Sequence, residues 1–84
     1  MNSLTADIIG ICGSVIFIGA FLYANISPAM NKILFNALNL VGAVLLLVSL
    51  SVNFNLAATF LEAVWGCIAL VGLISALRAR GKAS

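Results

Sequence analysis

Charge is what this chain has least of. Its 84 residues include four Lys or Arg, two Asp or Glu and no histidine. Charged residues make up 7% and apolar types 64%, and the mean hydropathy is +1.28. A soluble domain has about 25% charged and about 45–50% apolar residues. That composition excludes a soluble fold, because so short a chain cannot hide that much apolar surface inside itself. Disorder is excluded as well, since it needs low hydrophobicity and high net charge. A net charge of +2 leaves no basic face or stripe for nucleic acid.

Other scarcities narrow the chemistry. With no histidine, and with Cys12 and Cys67 each alone in an apolar run, no metal-ligand spacing exists and no cofactor is expected. The two thiols read as small packed hydrophobes. An enzyme is not expected either. No second acid stands beside Glu62, no Ser-Lys pair lies in an apolar stretch, and Ser14, Ser49 and Ser51 have no base to activate them. The opening Met1 to Asp7 has no basic segment, so the first apolar run is expected to remain as a membrane helix rather than a cleaved signal.

What is abundant is apolar sequence in three blocks. A hydrocarbon core ~30 Å thick takes about 20 helical residues to cross, so three crossings use roughly 60 residues and leave only short turns. The expected architecture is all-α: one domain, 1–84, of three transmembrane helices at about 6–24, 32–52 and 56–77. Asp7 suits the first helix start. Asn25, Ser27 and Pro28 end that helix, because a residue before proline disfavours helix. Asn53 and Asn55 bracket the second turn. Lys32 lies at the first turn, and Arg78, Arg80 and Lys82 follow the third helix. All four cations therefore fall on one side, which the positive-inside rule makes cytoplasmic, with the N-terminus outside. There they could also meet anionic lipid headgroups.

Helices in lipid associate through small and polar residues, since lipid tails are as apolar as leucine. Candidate packing positions are Ala6, Gly10 and Ser14 with Gly13 on the first helix, and Asn39, Gly42 and Ala43 on the second. On the third they are Ala58, Glu62 and Gly66, then Ala69 and Gly72.

Four residues form the candidate solute or proton path: Glu62, Trp65, Asn39 and Asn36. A carboxyl within a span costs about 2.5–3.5 kcal/mol on insertion scales and is a functional candidate by default. No cation lies in the apolar stretches to neutralise Glu62. It is protonated, held by neutral donors, or turned to water or a cationic ligand; a protonated carboxyl acting only as interhelical glue is the structural alternative. Trp65, one turn on, lies near the midplane, where its N–H needs a partner in a bundle interior or pocket wall. Gly66 opens space beside the pair. Asn36 and Asn39, one turn apart, serve either as amide bridges between helices or as the lining of a polar cavity. With a 1.5 Å rise, Asn39 and Glu62 are expected roughly 10 Å apart in depth.

The length, three spans, outside N-terminus and basic inner tail resemble the SemiSWEET half-transporters of the PQ-loop superfamily. The chain departs from that family's motifs. Pro28 is followed by Ala29 rather than glutamine, and Asn39 and Trp65 stand on helices two and three in inverted order. No sugar-binding residue is carried over. Asn39-Leu40-Val41-Gly42, Asn55-Leu56 and Glu62 to Trp65 are similar to motifs of a group of small uncharacterised bacterial inner-membrane proteins. The half-transporter resemblance implies a homodimer with a two-fold along the membrane normal, enclosing a midplane cavity. Two Glu62 carboxyls near that axis would share a proton or bind a cation. The function expected is a homodimeric transporter or channel for a small polar or cationic solute, proton-coupled through Glu62. The alternative is a non-transporting accessory subunit of a larger membrane complex, a role that small chains with sticky helices suit.

Overall fold

The computed structural model describes residues 1–83, with side chains as far as Gly81. Lys82, expected among the orienting cations, lies outside the residues whose side chains are described. Three helices follow one another: α1 (Ser3–Ile26), α2 (Lys32–Leu50) and α3 (Leu56–Ala83). Each is started by an asparagine. Asn2 Oδ1 accepts the Thr5 N–H, Asn31 Oδ1 accepts those of Ile33 and Leu34, and Asn55 Oδ1 accepts that of Ala58. Such caps satisfy donors that the first helical turn leaves free.

The caps correct two expectations. α1 starts near Ser3 rather than Ala6 because Asn2, not Asp7, is its cap. Asp7 instead accepts a hydrogen bond at 2.8 Å from Asn53 Nδ2, while Ser3 Oγ donates to Asn53 Oδ1 at 3.2 Å. Asn53 thus ties the α2–α3 turn to the start of α1. α2 ends at Leu50, slightly short of the expected 52. α3 runs on past Leu77 through Arg78 and Arg80, because the charges that end an apolar run are good helix formers and do not end a helix. At the other turn, Tyr23 Oη accepts the Asn31 N–H at 2.7 Å.

α2 is the middle helix. It packs on α1 and on α3, and those two have no close backbone approach to each other among the described residues. Adjacent residues of α2 serve the two neighbours. Gly42 faces α1, where a Cβ would meet the Phe17 ring at 2.7 Å and the Gly13 carbonyl oxygen at 3.2 Å. Ala43 faces α3, with its Cβ 3.3 Å from where Gly66 would carry one. Residues one apart on a helix point about 100° apart, so one small pair opens two interfaces.

The buried apolar side chains are all alanines: Ala6, Ala20, Ala43 and Ala69. Many large apolar side chains lie outward, among them Ile8, Ile11, Phe21, Phe60 and Val71. A fold with small residues inside and large apolar ones outside is stable only where the surroundings are themselves apolar. All three helices are long and apolar enough to cross a membrane. The molecule's longest dimension is 46 Å, close to a bilayer with its headgroup regions.

The α1 seam runs through Ala6, Gly13 and Ala20. Gly10 faces α2, where its Cβ would meet Ser49 Oγ at 2.7 Å. Ser14, expected on this seam, is exposed instead, and its hydroxyl donates to the Gly10 carbonyl of its own helix at 2.9 Å. Such back-bonding satisfies a hydroxyl without a neighbouring helix. Cys12 and Cys67 are likewise exposed rather than packed inside. A thiol is apolar enough to face lipid.

Candidate functional site

Asn39 is the buried polar residue of the three-helix packing. Its Nδ2 donates to the Phe35 carbonyl one turn back at 2.8 Å, and its Oδ1 accepts the indole N–H of Trp65 at 3.0 Å. The first bond anchors the amide on α2 and the second carries it to α3. The Trp65 ring meets Phe17 of α1 edge-on, with centroids 6.1 Å apart and planes at 65°, a favourable aromatic geometry. One tryptophan therefore touches both other helices. The missing side chain at Gly42 makes this possible, because Phe17 lies where a Cβ would stand.

Two cavities share this pair. A groove of about 570 Å³ is lined by Phe17, Phe21, Asn25, Phe35, Asn39 and Trp65 among others. Phe21 is 68% and Trp65 45% exposed, so the groove is open on one side. A smaller cavity of about 190 Å³ between α2 and α3 is lined by Asn36, Asn39, Trp65, Ile68 and neighbours. Asn36 and Asn39 thus share one cavity. Asn36 Nδ2 bonds its own helix at the Lys32 carbonyl, and its amide lies against Gly72 of α3.

Glu62 stands elsewhere. Thr59, Glu62, Gly66, Ala69 and Gly72 make the partly or fully buried stripe of α3 that packs on α2. Glu62 lines neither cavity of the Asn39–Trp65 pair. Its Oε2 and the Thr59 Oγ1 are buried without a hydrogen-bond partner among the described residues. Glu62 and Trp65 are one turn apart, yet only the tryptophan lines the groove. The carboxyl is half-buried and stands outside both cavities that the Asn39–Trp65 pair lines.

The pairing of Asn39 with Trp65 was not foreseen from sequence, although a signal existed. In an antiparallel hairpin, residues equally far from the turn lie at equal depth. Asn39 precedes Asn53 by 14 residues and Trp65 follows it by 12, which is a depth difference of about 3 Å at 1.5 Å per residue.

Inverted packing, three apolar spans and a polar pair held among them define a three-span α-helical membrane protein. The chain belongs to an uncharacterised protein family, whose sequence profile matches residues 6–80. No curated protein and no solved structure is significantly similar to it. The half-transporter resemblance finds no support in these comparisons.

Proposed function

We propose that the protein is one half of a homodimeric membrane transporter or channel for a small polar or cationic solute. In this reading it sits in a bacterial cytoplasmic membrane with its N-terminus outside. One observation carries the proposal: an open groove of about 570 Å³, its walls mostly apolar (Phe17, Ile18, Phe21, Leu22 and Phe35), in which Asn25 and the hydrogen-bonded Asn39–Trp65 pair are the polar positions. α1 and α3 flank α2 and wall that groove on one side without closing it. A second copy, related by a two-fold along the membrane normal, would close it and place two such pairs around one path. Glu62 is the coupling acid in this scheme. It acts beside the path: loading or removing its proton biases how tightly α3 closes on α2, and so the shape of the wall that Trp65 forms.

The test is flux in proteoliposomes. Uptake of labelled sugars, amino acids and amines would be followed together with proton movement reported by a pH-sensitive dye. Flux of at least one solute, reduced by Asn39→Ala and by Trp65→Phe, is the expected result. Absence of flux for every solute, or recovery of the chain only as a monomer bound to a larger membrane complex, overturns the proposal in favour of an accessory subunit. Unchanged, pH-independent flux in Glu62→Gln would remove Glu62 from the coupling.

A further inference from the structure

At the end of the molecule remote from Asp7 and Glu62, a third cavity of about 390 Å³ opens between α2 and α3. It is lined by Asn31, Lys32, Ile33, Ala76, Ala79 and Arg80. Lys32 is the first residue of α2 and Arg80 lies near the end of α3, so antiparallel packing brings two cations from different helices to one hollow. No acidic side chain lines it. The chain's two acids, Asp7 and Glu62, lie towards the Asn53 turn. Both cations line the same hollow with no carboxylate beside them, so an anion placed there is attracted by both. Asn31 commits its Oδ1 to capping α2 and keeps its amide N–H groups as neutral donors. Ala76, Ala79 and Arg80 share one face of α3, and the two alanines leave the room that makes the hollow.

We propose that this hollow binds the phosphate of an anionic phospholipid headgroup, with Lys32 and Arg80 as the charged contacts. Location and lining favour lipid over a free anion. The cavity lies where two membrane spans end, Lys32–Leu50 and Leu56–Gly81, which is the depth of the headgroup layer. Three of its six lining residues, Ile33, Ala76 and Ala79, are apolar. They offer nothing to inorganic phosphate but accept the glycerol and first methylenes of a lipid. Basic pockets between spans recognise anionic headgroups through this combination of charge and apolar wall. The site is independent of the groove at Trp65 and of membrane orientation.

The experiment is native mass spectrometry of the delipidated full-length protein in detergent. It would be titrated with phosphatidylglycerol, with zwitterionic phosphatidylcholine and with inorganic phosphate. Phosphatidylglycerol is expected to be retained over phosphatidylcholine. Lys32→Gln and Arg80→Gln should each weaken its retention about five-fold, the equivalent of about 1 kcal/mol per cation. Arg78→Gln removes the same charge from the same helix outside the cavity and should leave retention unchanged. The charge-keeping Lys32→Arg should retain the lipid, and helicity by circular dichroism confirms that each variant is folded. Equal loss in Arg78→Gln would reduce the effect to diffuse attraction and overturn the site. So would equal retention of the zwitterionic lipid. Displacement of phosphatidylglycerol by millimolar phosphate would make this a free-anion site and overturn the lipid assignment.

Discussion

The indole Nε1 of Trp65 lies 3.0 Å from Asn39 Oδ1, and the same asparagine closes its Nδ2 on the Phe35 carbonyl at 2.8 Å. Both polar ends of the amide are therefore used, one within α2 and one between α2 and α3. A side chain satisfied at both ends can stand among apolar helices without water. The tryptophan gains a midplane partner by the same bond and stays free to face the groove.

Removing this bond should weaken the α2–α3 contact by about 0.6–2 kcal/mol, the range of interhelical side-chain hydrogen bonds. Trp65→Phe deletes the donor and keeps an aromatic ring beside Phe17; Asn39→Ala deletes the acceptor. Thermal unfolding of both single variants and the double variant in detergent would give the coupling energy. A double-mutant cycle with no coupling would show that the two residues do not act as a pair.

The glycines of the α1–α2 seam should be intolerant in a graded way. A Cβ at Gly13 meets the Gly42 carbonyl oxygen at 3.0 Å and Leu45 Cβ at 3.1 Å, which the backbone must accommodate by separating the helices. Gly13→Ala is expected to cost about 1–3 kcal/mol. At Gly42 a Cβ meets the Phe17 ring at 2.7 Å and the Gly13 carbonyl oxygen at 3.2 Å. Gly42→Ala should therefore also cost about 1–3 kcal/mol and, by displacing Phe17, shift the fluorescence of Trp65, the single tryptophan. Gly19 has nothing within 4 Å of its Cβ position, so Gly19→Ala should be neutral or stabilising by up to about 1 kcal/mol. Equal effects at all three positions would refute this packing.

Glu62 should be a residue whose removal stabilises. Its Oε2 is buried with no hydrogen-bond partner among the described residues, and an acid within a span costs about 2.5–3.5 kcal/mol on insertion scales. Glu62→Leu is expected to raise the unfolding midpoint in detergent, and Glu62→Gln to raise it less. Stabilisation combined with loss of flux would mark Glu62 as retained for function at the expense of stability. A lower midpoint in both variants would mean that the carboxyl holds a structural partner.

Orientation is checked by cysteine accessibility. Val52 and Ala29 lie in opposite turns and are exposed. With the N-terminus outside, a membrane-impermeant maleimide on intact cells should label Val52→Cys. It should reach Ala29→Cys only after permeabilisation. Cys12 and Cys67, on outward faces within the spans, should stay unlabelled in both conditions. The reverse pattern would invert the proposed topology.

Much of this architecture is legible in the sequence. An apolar run long enough to cross a bilayer needs no partner to be read as a helix, because unsatisfied backbone groups in lipid leave almost no alternative. The helix ends were less legible. Asp7 looked like a cap because acids favour helix starts, while Asn2 already filled that role. Ser14 looked like part of a small-residue seam, yet Gly13 occupies the buried line.

By itself the sequence, with its scarcity of charge, determined that this is a membrane protein of three helices. It also put Lys32, Arg78 and Arg80 at one end, since both properties follow from where polarity is missing along the chain. Only the tertiary structure decided that α2 stands in the middle, that Trp65 pairs with Asn39, and that Glu62 stays out of the groove's lining. In water an amphipathic pattern would have announced the buried face of each helix. In lipid every face is apolar, so the neighbours are chosen by small residues and a few hydrogen bonds, which meet only when the chain is folded.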